Sequence, residues 1–120
     1  MNIEEFRACC LSVKGAVEVA SLQSRKIINY KVLGKVFVYL EPEPEDGVVR
    51  AYMKCDPERS VELRDRYDGV NPDTFKTLMW NWVTLASDVP DELIGELVRH
   101  SADEVVKRLP KQRQAEYRAL

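Results

Sequence analysis

The sequence lacks the features that mark membrane, secreted or metal-binding proteins. No apolar run approaches the roughly 18 residues that a membrane helix needs, and residues 1–5 are acidic where a signal peptide is basic and then apolar. The cysteines, Cys9, Cys10 and Cys55, form no Cys-x-x-Cys pair, and His100 is the one histidine. Such a set predicts neither a disulfide framework nor a zinc site. We therefore expect a cytoplasmic protein with no metal, no cofactor and no membrane partner.

Signatures of catalysis and of nucleotide binding are missing as well. The sequence contains no Gly-x-Gly-x-x-Gly, no Gly-x4-Gly-Lys-Ser/Thr and no Gly-x-Ser-x-Gly. His100 adjoins Ser101, but neighbouring residues on a helix point about 100° apart, which does not suit a proton relay. We expect a structural histidine, small core-filling cysteines and no enzymatic activity.

Composition describes a globular protein without a dominant charge. The 120 residues are 45% hydrophobic and 32% charged, with a net charge of −2. A chain of this size can bury one core without disulfide bonds or a bound metal ion, so we expect a single domain over residues 1–120. The charge excludes a uniformly basic nucleic-acid binder, although it leaves room for a local basic patch.

Capping residues locate the helix starts. Asn2 with Glu5 three residues later forms a capping box. Asp56 before a proline is a second start, and a third helix begins after Pro90. The apolar residues at helical spacing along that third helix are Leu93, Ile94, Leu97, Val98, Ala102, Val105 and Leu109. Residues 111–120, which follow a proline, predict a short terminal helix.

Alternation with a period of two predicts the strands. The pattern begins after the first helix, and it places Lys35, Phe37 and Tyr39 on one face of a strand. The aromatic and β-branched residues 80–85 predict another strand, whereas residues 71–73 predict a turn. Short turns favour antiparallel pairing. We expect an α+β fold in two layers, with one antiparallel sheet covered by helices on one face and the order α-β3-α-β2-α. The other face should be partly open to water.

Cations and aromatic rings alternate on neighbouring strands. Between Leu22 and Leu40 the charged residues are all basic: Arg25, Lys26, Lys31 and Lys35. Lys35 with Tyr39, and Arg50 with Tyr52 and Lys54, share parity on their strands, so they predict a platform for single-stranded nucleic acid. Ordinary cross-strand packing on a solvated face is the alternative.

Two further groups leave alternatives open. The terminal segment is basic, and it predicts either a solubilising helix end or a contact for phosphates or an acidic partner; its cations are Lys107, Arg108, Lys111, Arg113 and Arg118. Trp80 and Trp82 share strand parity, so they form either core or an aromatic rim, or else the wall of a ligand pocket.

Several stretches, in this order and at these intervals, resemble the MmcQ/YjbR family of small bacterial proteins over roughly residues 2–115. They are Cys10-Leu11-Ser12-Val13-Lys14-Gly15, Tyr30-Lys31-Val32-Leu33-Gly34-Lys35-Val36-Phe37, Met53-Lys54-Cys55-Asp56-Pro57-Glu58, Trp80-Asn81-Trp82-Val83, Val89-Pro90-Asp91-Glu92-Leu93-Ile94, His100-Ser101 and Lys107-Arg108-Leu109-Pro110. The resemblance implies a fold similar to type III secretion chaperones, with a frataxin-like element order. It also implies DNA binding through a double-wing surface.

The sequence departs from the family pattern in three places. One is Ala102, which follows His100-Ser101 where the family commonly has tyrosine. Lys14 stands where the family usually has proline, and Lys76, Thr77 and Met79 stand where it carries an Asn-Lys pair and a histidine before Trp80. Lys76 keeps a basic group in that region, displaced by one residue.

These observations leave two functions to compare. The first is a weak nucleic-acid-binding module. Its expected contacts are Lys35, Tyr39, Arg50, Tyr52, Lys54 and Lys76. The second is a protein-interaction or chaperone-like adaptor without a nucleic-acid role. Convergence of the cations on one sheet face would favour the first function, and their dispersal would favour the second.

Overall fold

The computed structural model describes residues 1–20, 27–75 and 77–120. Arg25, Lys26 and Lys76 lie outside the described residues. Within these ranges the helices are α1 (Ile3–Leu11), α2 (Pro57–Arg66), α3 (Asp91–Lys107) and α4 (Lys111–Arg118). The strands are β1 (Val17–Ala20), β2 (Ile28–Val32), β3 (Lys35–Glu41), β4 (Arg50–Lys54), β5 (Val70–Pro72) and β6 (Trp80–Thr84).

The strands form one sheet in the order β1-β2-β3-β4-β6-β5, and every neighbouring pair is antiparallel. The α+β class and the antiparallel sheet are confirmed. The expected element order is wrong, because the described elements run α-β4-α-β2-α-α. Strand β1 has four residues, too few for alternation to separate it from β2, and the terminal helix α4 belongs in the order.

Residues predicted as a turn contribute to an edge strand. Asn71 and Pro72 belong to β5, which pairs with β6 alone at the end of the sheet. Proline is tolerated there because an edge strand has one side whose N–H groups need no ladder partner. Proline in a sequence pattern therefore indicates an edge as well as a turn.

The helices pack against one face of the sheet and enclose the core. Helix α3 lies on β3 and β4 and buries Ile94, Leu97 and Val98, while Phe6 of α1 is buried in the same cluster. The capping box of α1 is confirmed: Asn2 Oδ1 accepts the Glu5 N–H at 2.8 Å, and Glu5 Oε1 accepts the Asn2 N–H at 3.1 Å. The opposite side, here called the open face, carries Tyr39, Arg50, Tyr52, Lys54, Trp80 and Trp82.

A β-bulge in β3 interrupts the expected alternation of side chains between the two faces of the sheet. Tyr30 lies opposite Val38 and Lys31 opposite Val36, so Phe37 is an extra residue in the ladder. Phe37 and Val38 are both fully buried. The expectation that Phe37 shares a face with Tyr39 is therefore wrong, because a bulge turns two successive side chains toward the same side of the sheet.

Strands β3 and β4 separate next to this bulge. Their pairing extends only as far as Val38 opposite Met53. Beyond that point Ser101 of α3 bridges the two strands: its Oγ accepts the Lys54 N–H at 2.8 Å and donates to the Phe37 carbonyl at 2.6 Å. The serine hydroxyl thus replaces a ladder hydrogen bond, and α3 adjoins the gap.

Candidate nucleic-acid interface

Four aromatic rings gather on the open face. Cross-strand pairing places Tyr39 opposite Tyr52 and Tyr52 opposite Trp82, with ring centroids 6.0 and 4.7 Å apart. Trp80 stacks on Tyr52 at 5.0 Å with 18° between the ring planes, and it lies 5.8 Å from Tyr39. We call these residues the four-ring cluster. Such pairs add about 0.5–1.5 kcal/mol each beyond the area they bury.

The four-ring cluster remains accessible to a ligand. All four rings are half-buried, and together with Ile27 they line a shallow depression of about 390 Å³. Trp80 and Trp82 therefore lie on the open face, outside the core. Their spacing in the sequence predicts that both tryptophans lie on the same side of their strand. The packing of the helices shows that this side is the open face.

A carboxylate holds one ring of the cluster in place. The Tyr52 hydroxyl donates to the Asp73 carboxylate, which also accepts the Thr77 N–H at 3.1 Å. Burial, together with this carboxylate, raises the pKa of Tyr52. The hydrogen bond from Tyr52 holds the pKa of Asp73 below its usual range. The ring of Tyr52 is thus held by a polar contact at its hydroxyl end, and no sequence pattern predicts this contact.

Lys54 is the cation of the four-ring cluster. Its Nζ lies 5.8 Å from the Trp80 ring centroid, within cation–π distance. Desolvation by the surrounding side chains and the charge of Arg108 lower its pKa, partly offset by Glu104. Tyr39, Tyr52 and Lys54 therefore converge as the sequence predicts.

The other predicted site residues occupy different places. Arg50 is on the open face, but its Nη2 is 2.8 Å from Asp46 Oδ2 in the acidic loop after β3, so its charge is already paired. Lys35 begins β3 before the bulge and is exposed. Its ladder partner is the buried Val32, so Lys35 leaves the sheet on the helix side, and the expectation that it shares a face with Tyr39 is wrong. Lys76 falls outside the described residues.

The gap between β3 and β4 is a second cleft next to the four-ring cluster, with a volume of about 400 Å³. We call it the strand-gap cleft; its lining residues are Gly34, Lys35, Val36, Tyr39, Lys54, Trp80, Val105, Arg108 and Leu109. It brings Lys35 and Lys54 together with Arg108 from the basic terminal segment. The sequence showed Arg108 as one cation of a helix end, but only the docking of α3 places it beside the strands.

Arg108 compensates a buried acid near this cleft. The Glu104 side chain is 7% exposed, and its Oε2 lies 2.6 Å from Arg108 Nη1. Burial alone would raise the pKa of Glu104, but the Arg108 hydrogen bond and the charge of Lys107 hold it below its usual value. This acid is therefore ionised at neutral pH and depends on Arg108.

Arg108→Ala is expected to destabilise the fold by about 1.5–3 kcal/mol near neutral pH, because Glu104 loses its charged hydrogen bond. In the unaltered protein the lowered pKa of Glu104 gives stability above its unfolded pKa, which is lost as the pH falls through the folded pKa. The difference between variant and unaltered protein should therefore shrink in acid. Urea unfolding at several pH values measures it.

Arg59→Ala is the matched control for Arg108→Ala. Arg59 of α2 pairs with Glu96 of α3, and the Glu96 side chain is 54% exposed. An exposed pair of this kind contributes less than about 1 kcal/mol. Equal losses for the two variants, or an Arg108→Ala loss that does not change with pH, would contradict the role of Arg108.

His100 has a backbone partner. Its Nε2 accepts the Asp56 N–H at 3.0 Å, at the start of α2. Burial, with the positive charge of Arg59, lowers the pKa of His100. The contact matches the expected structural histidine. Among residues 1–20, 27–75 and 77–120, no group of three metal-binding side chains occurs. The search for membrane helices, over the same described part of the chain, finds none long and apolar enough to span a bilayer.

Comparison with known proteins gives one family and similar structures. A family model described as YjbR matches residues 11–103. The crystal structure of Deinococcus radiodurans protein DR2400, described with a DUF419 domain, is similar at 28% identity and a TM-score of 0.82, covering 97% of this chain and 87% of that one. A Pseudomonas syringae protein, Northeast Structural Genomics Consortium target PsR293, shares the fold at 16% identity and a TM-score of 0.71, covering 87% and 98%. The search of the curated proteins finds no match.

The family model spans well over half of the 120 residues. Its match includes the bulged strand, the four-ring cluster and most of α3. The resemblance predicted from the ordered sequence stretches is confirmed. This chain belongs to the YjbR family, also called MmcQ/YjbR.

Proposed function

We propose that this protein binds single-stranded nucleic acid on its open face. The observation that carries the proposal is the four-ring cluster, four half-buried rings beside the cation Lys54. Every nucleobase has a flat face that stacks on an aromatic ring, and a cation beside the ring can contact the phosphate. A duplex hides these base faces, so we expect single strands to bind more tightly than duplexes.

Charge sets the expected affinity. Lys54 and Lys31 lie on the open face and can contact phosphates, and Lys35 can add a third contact from the neighbouring cleft. Arg50 is already paired with Asp46. Two or three contacts correspond to a slope of about −1.5 to −2 for log affinity against log salt with a single strand. Non-specific affinity should be about micromolar or weaker at physiological salt.

The test is a titration of labelled DNA and RNA, single- and double-stranded, followed by fluorescence anisotropy at several salt concentrations. We expect measurable binding of the single strands at low salt with the slope given above. Lys54→Ala should reduce the magnitude of the slope by about 0.7, the value of one phosphate contact on a single strand. Lys111→Ala, which removes an exposed cation on α4, should leave the slope unchanged. No binding at low salt would refute the proposal.

Tyr39→Ala is expected to weaken single-strand binding by about 1–3 kcal/mol with little change in salt slope, because it removes a stacking ring and no charge. Tyr67→Ala is the matched control, since it removes a half-buried ring that packs on the helix side. Thermal melting shows whether each variant remains folded. If both variants bind the single strand as tightly as the unaltered protein does, the proposal that bases stack on the four-ring cluster is wrong.

A protein-interaction adaptor is the second candidate, and one observation favours it. An apolar cleft of about 670 Å³ lies at the end of the sheet away from Lys54, and its apolar side chains include Met1, Ile3, Val48 and Leu85. Exposed Glu4 also lines it, so the partner that fits is a peptide with apolar residues and a cation. Titration with such a peptide and a sequence-scrambled control tests the adaptor. Peptide binding without nucleic-acid binding would replace the main proposal.

The proposed role is binding without catalysis, in the cytoplasm. The Nε2 atom of the sole histidine, His100, accepts a hydrogen bond from a backbone N–H, which supports a structural role for that side chain. All three cysteines are free thiols, which is typical of proteins in a reducing compartment.

A further inference from the structure

The strand-gap cleft differs from the rest of the open face because residues of the helix layer contribute to its lining. Beyond the Val38–Met53 pair the two strands no longer bond to each other, and Ser101 bridges them from below. Val105 of α3 and Leu109, just past the end of that helix, contribute to the lining, so the end of α3 adjoins the gap.

The cleft carries an excess of positive charge. Lys35, Lys54 and Arg108 line it, while the nearby acid Glu104 is neutralised by Arg108. Among the described residues, the amines of Lys35 and Lys54 form no hydrogen bond or ion pair. Two ammonium groups without an ion-pair partner in one cleft favour a dianion over the monoanionic diester of a continuing strand.

An aromatic wall stands beside these cations. Trp80 and Tyr39 line both the strand-gap cleft and the depression of the four-ring cluster. A flat group can therefore stack on the rings while a phosphate attached to it reaches the two lysines. The volume of about 400 Å³ lies in the range of small-molecule sites.

We propose that the strand-gap cleft binds a phosphomonoester attached to a nucleoside, with the phosphate at Lys35 and Lys54 and the base on Trp80. This inference rests on the proposed function, which it deepens by assigning the end of the bound strand. The same chemistry occurs at the terminal phosphate of an oligonucleotide and in a free nucleoside monophosphate. Recognition of the terminal phosphate makes the protein an end-binding protein that also contacts the adjoining bases.

The experiment compares short oligothymidylates with a 5′-phosphate, with a 3′-phosphate and with neither, alongside thymidine monophosphate and inorganic phosphate. We expect one phosphorylated form to bind at least about tenfold more tightly than the unphosphorylated strand, because charged hydrogen bonds are added. Preference for thymidine monophosphate over inorganic phosphate, without an oligonucleotide preference, would assign the free nucleotide as the source.

Lys35→Ala tests the position of the phosphate. Lys35 is exposed, so the variant should fold normally, and melting checks this. It should remove most of the preference for the phosphorylated ligand. The affinity for the unphosphorylated strand should fall by no more than about threefold, because one contact is lost. Lys111→Ala removes the same charge away from the cleft and should retain the preference. A preference that survives Lys35→Ala would overturn the assignment.

The outcomes separate this inference from the proposed function. If the unphosphorylated strand binds and no phosphorylated ligand is preferred, the cleft assignment fails and the open-face function stands. If thymidine monophosphate binds but no oligonucleotide does, the open-face function fails and the cleft assignment stands. Inorganic phosphate binding as tightly as the nucleotide would exclude the stacking contact with Trp80.

Discussion

Phe37→Ala should lower the free energy of unfolding by about 3–5 kcal/mol, the usual loss for truncating a buried phenylalanine. The bulge in β3 turns Phe37 into the core, where it is 0% exposed. The loss combines the missing transfer of the ring from water with the cavity left between the sheet and the helices. Urea unfolding followed by circular dichroism measures it, provided that the slope with denaturant stays constant.

The matched control is Phe75→Ala, the same substitution at a ring that is 86% exposed. An exposed ring of this kind should change stability by less than about 0.5 kcal/mol. If β3 alternated regularly, Phe37 would lie on the open face beside Tyr39, and the two losses would be similar. A Phe37→Ala loss below about 1 kcal/mol would therefore contradict the bulge.

Ser101→Ala is expected to lower the free energy of unfolding by about 2–5 kcal/mol. The hydroxyl serves the buried Phe37 carbonyl and the partly buried Lys54 N–H, and leaving such a group unsatisfied costs about 1–3 kcal/mol. Amide hydrogen exchange measures the same contact at a single residue. The Lys54 amide should exchange faster in the variant, because its acceptor is gone.

Ser12→Ala controls for the loss of a hydroxyl hydrogen bond as such. Ser12 Oγ donates to the Cys9 carbonyl at 2.6 Å, but the contact is exposed and water can replace it. We expect a change within about 0.5 kcal/mol. If Ser101→Ala costs as little as Ser12→Ala, the hydroxyl does not hold β3 and β4 together at the gap.

The sequence predicts best where structure depends on neighbours along the chain. The capping box at Asn2 and the helix start at Asp56 are confirmed, because a cap is satisfied within a single turn. The apolar stripe of α3 is confirmed in its central positions, since helical spacing alone selects one face. Short turns likewise made antiparallel pairing predictable.

Some of the predicted site residues lie together on the open face and others do not, because side-chain alternation is regular in only part of the sheet. Tyr39, Tyr52 and Lys54 converge as expected, because parity holds on β4 and on β3 after its bulge. Lys35 lies before the bulge, so its expected alignment with Tyr39 was lost. Arg50 pairs with Asp46, only four residues away, yet its strand pattern does not show that the loop folds back onto it.

By itself the sequence determined the α+β class, the helix starts, the antiparallel pairing and membership in the YjbR family. These properties depend on local hydrogen bonding, on periodicity, or on ordered motifs along the chain. Only the tertiary structure decided the bulge at Phe37, the gap bridged by Ser101 and the position of Arg108 beside Lys54. Each of these depends on how α3 docks on the sheet, because strand register and cross-element contacts are set by packing between distant segments that no local pattern encodes.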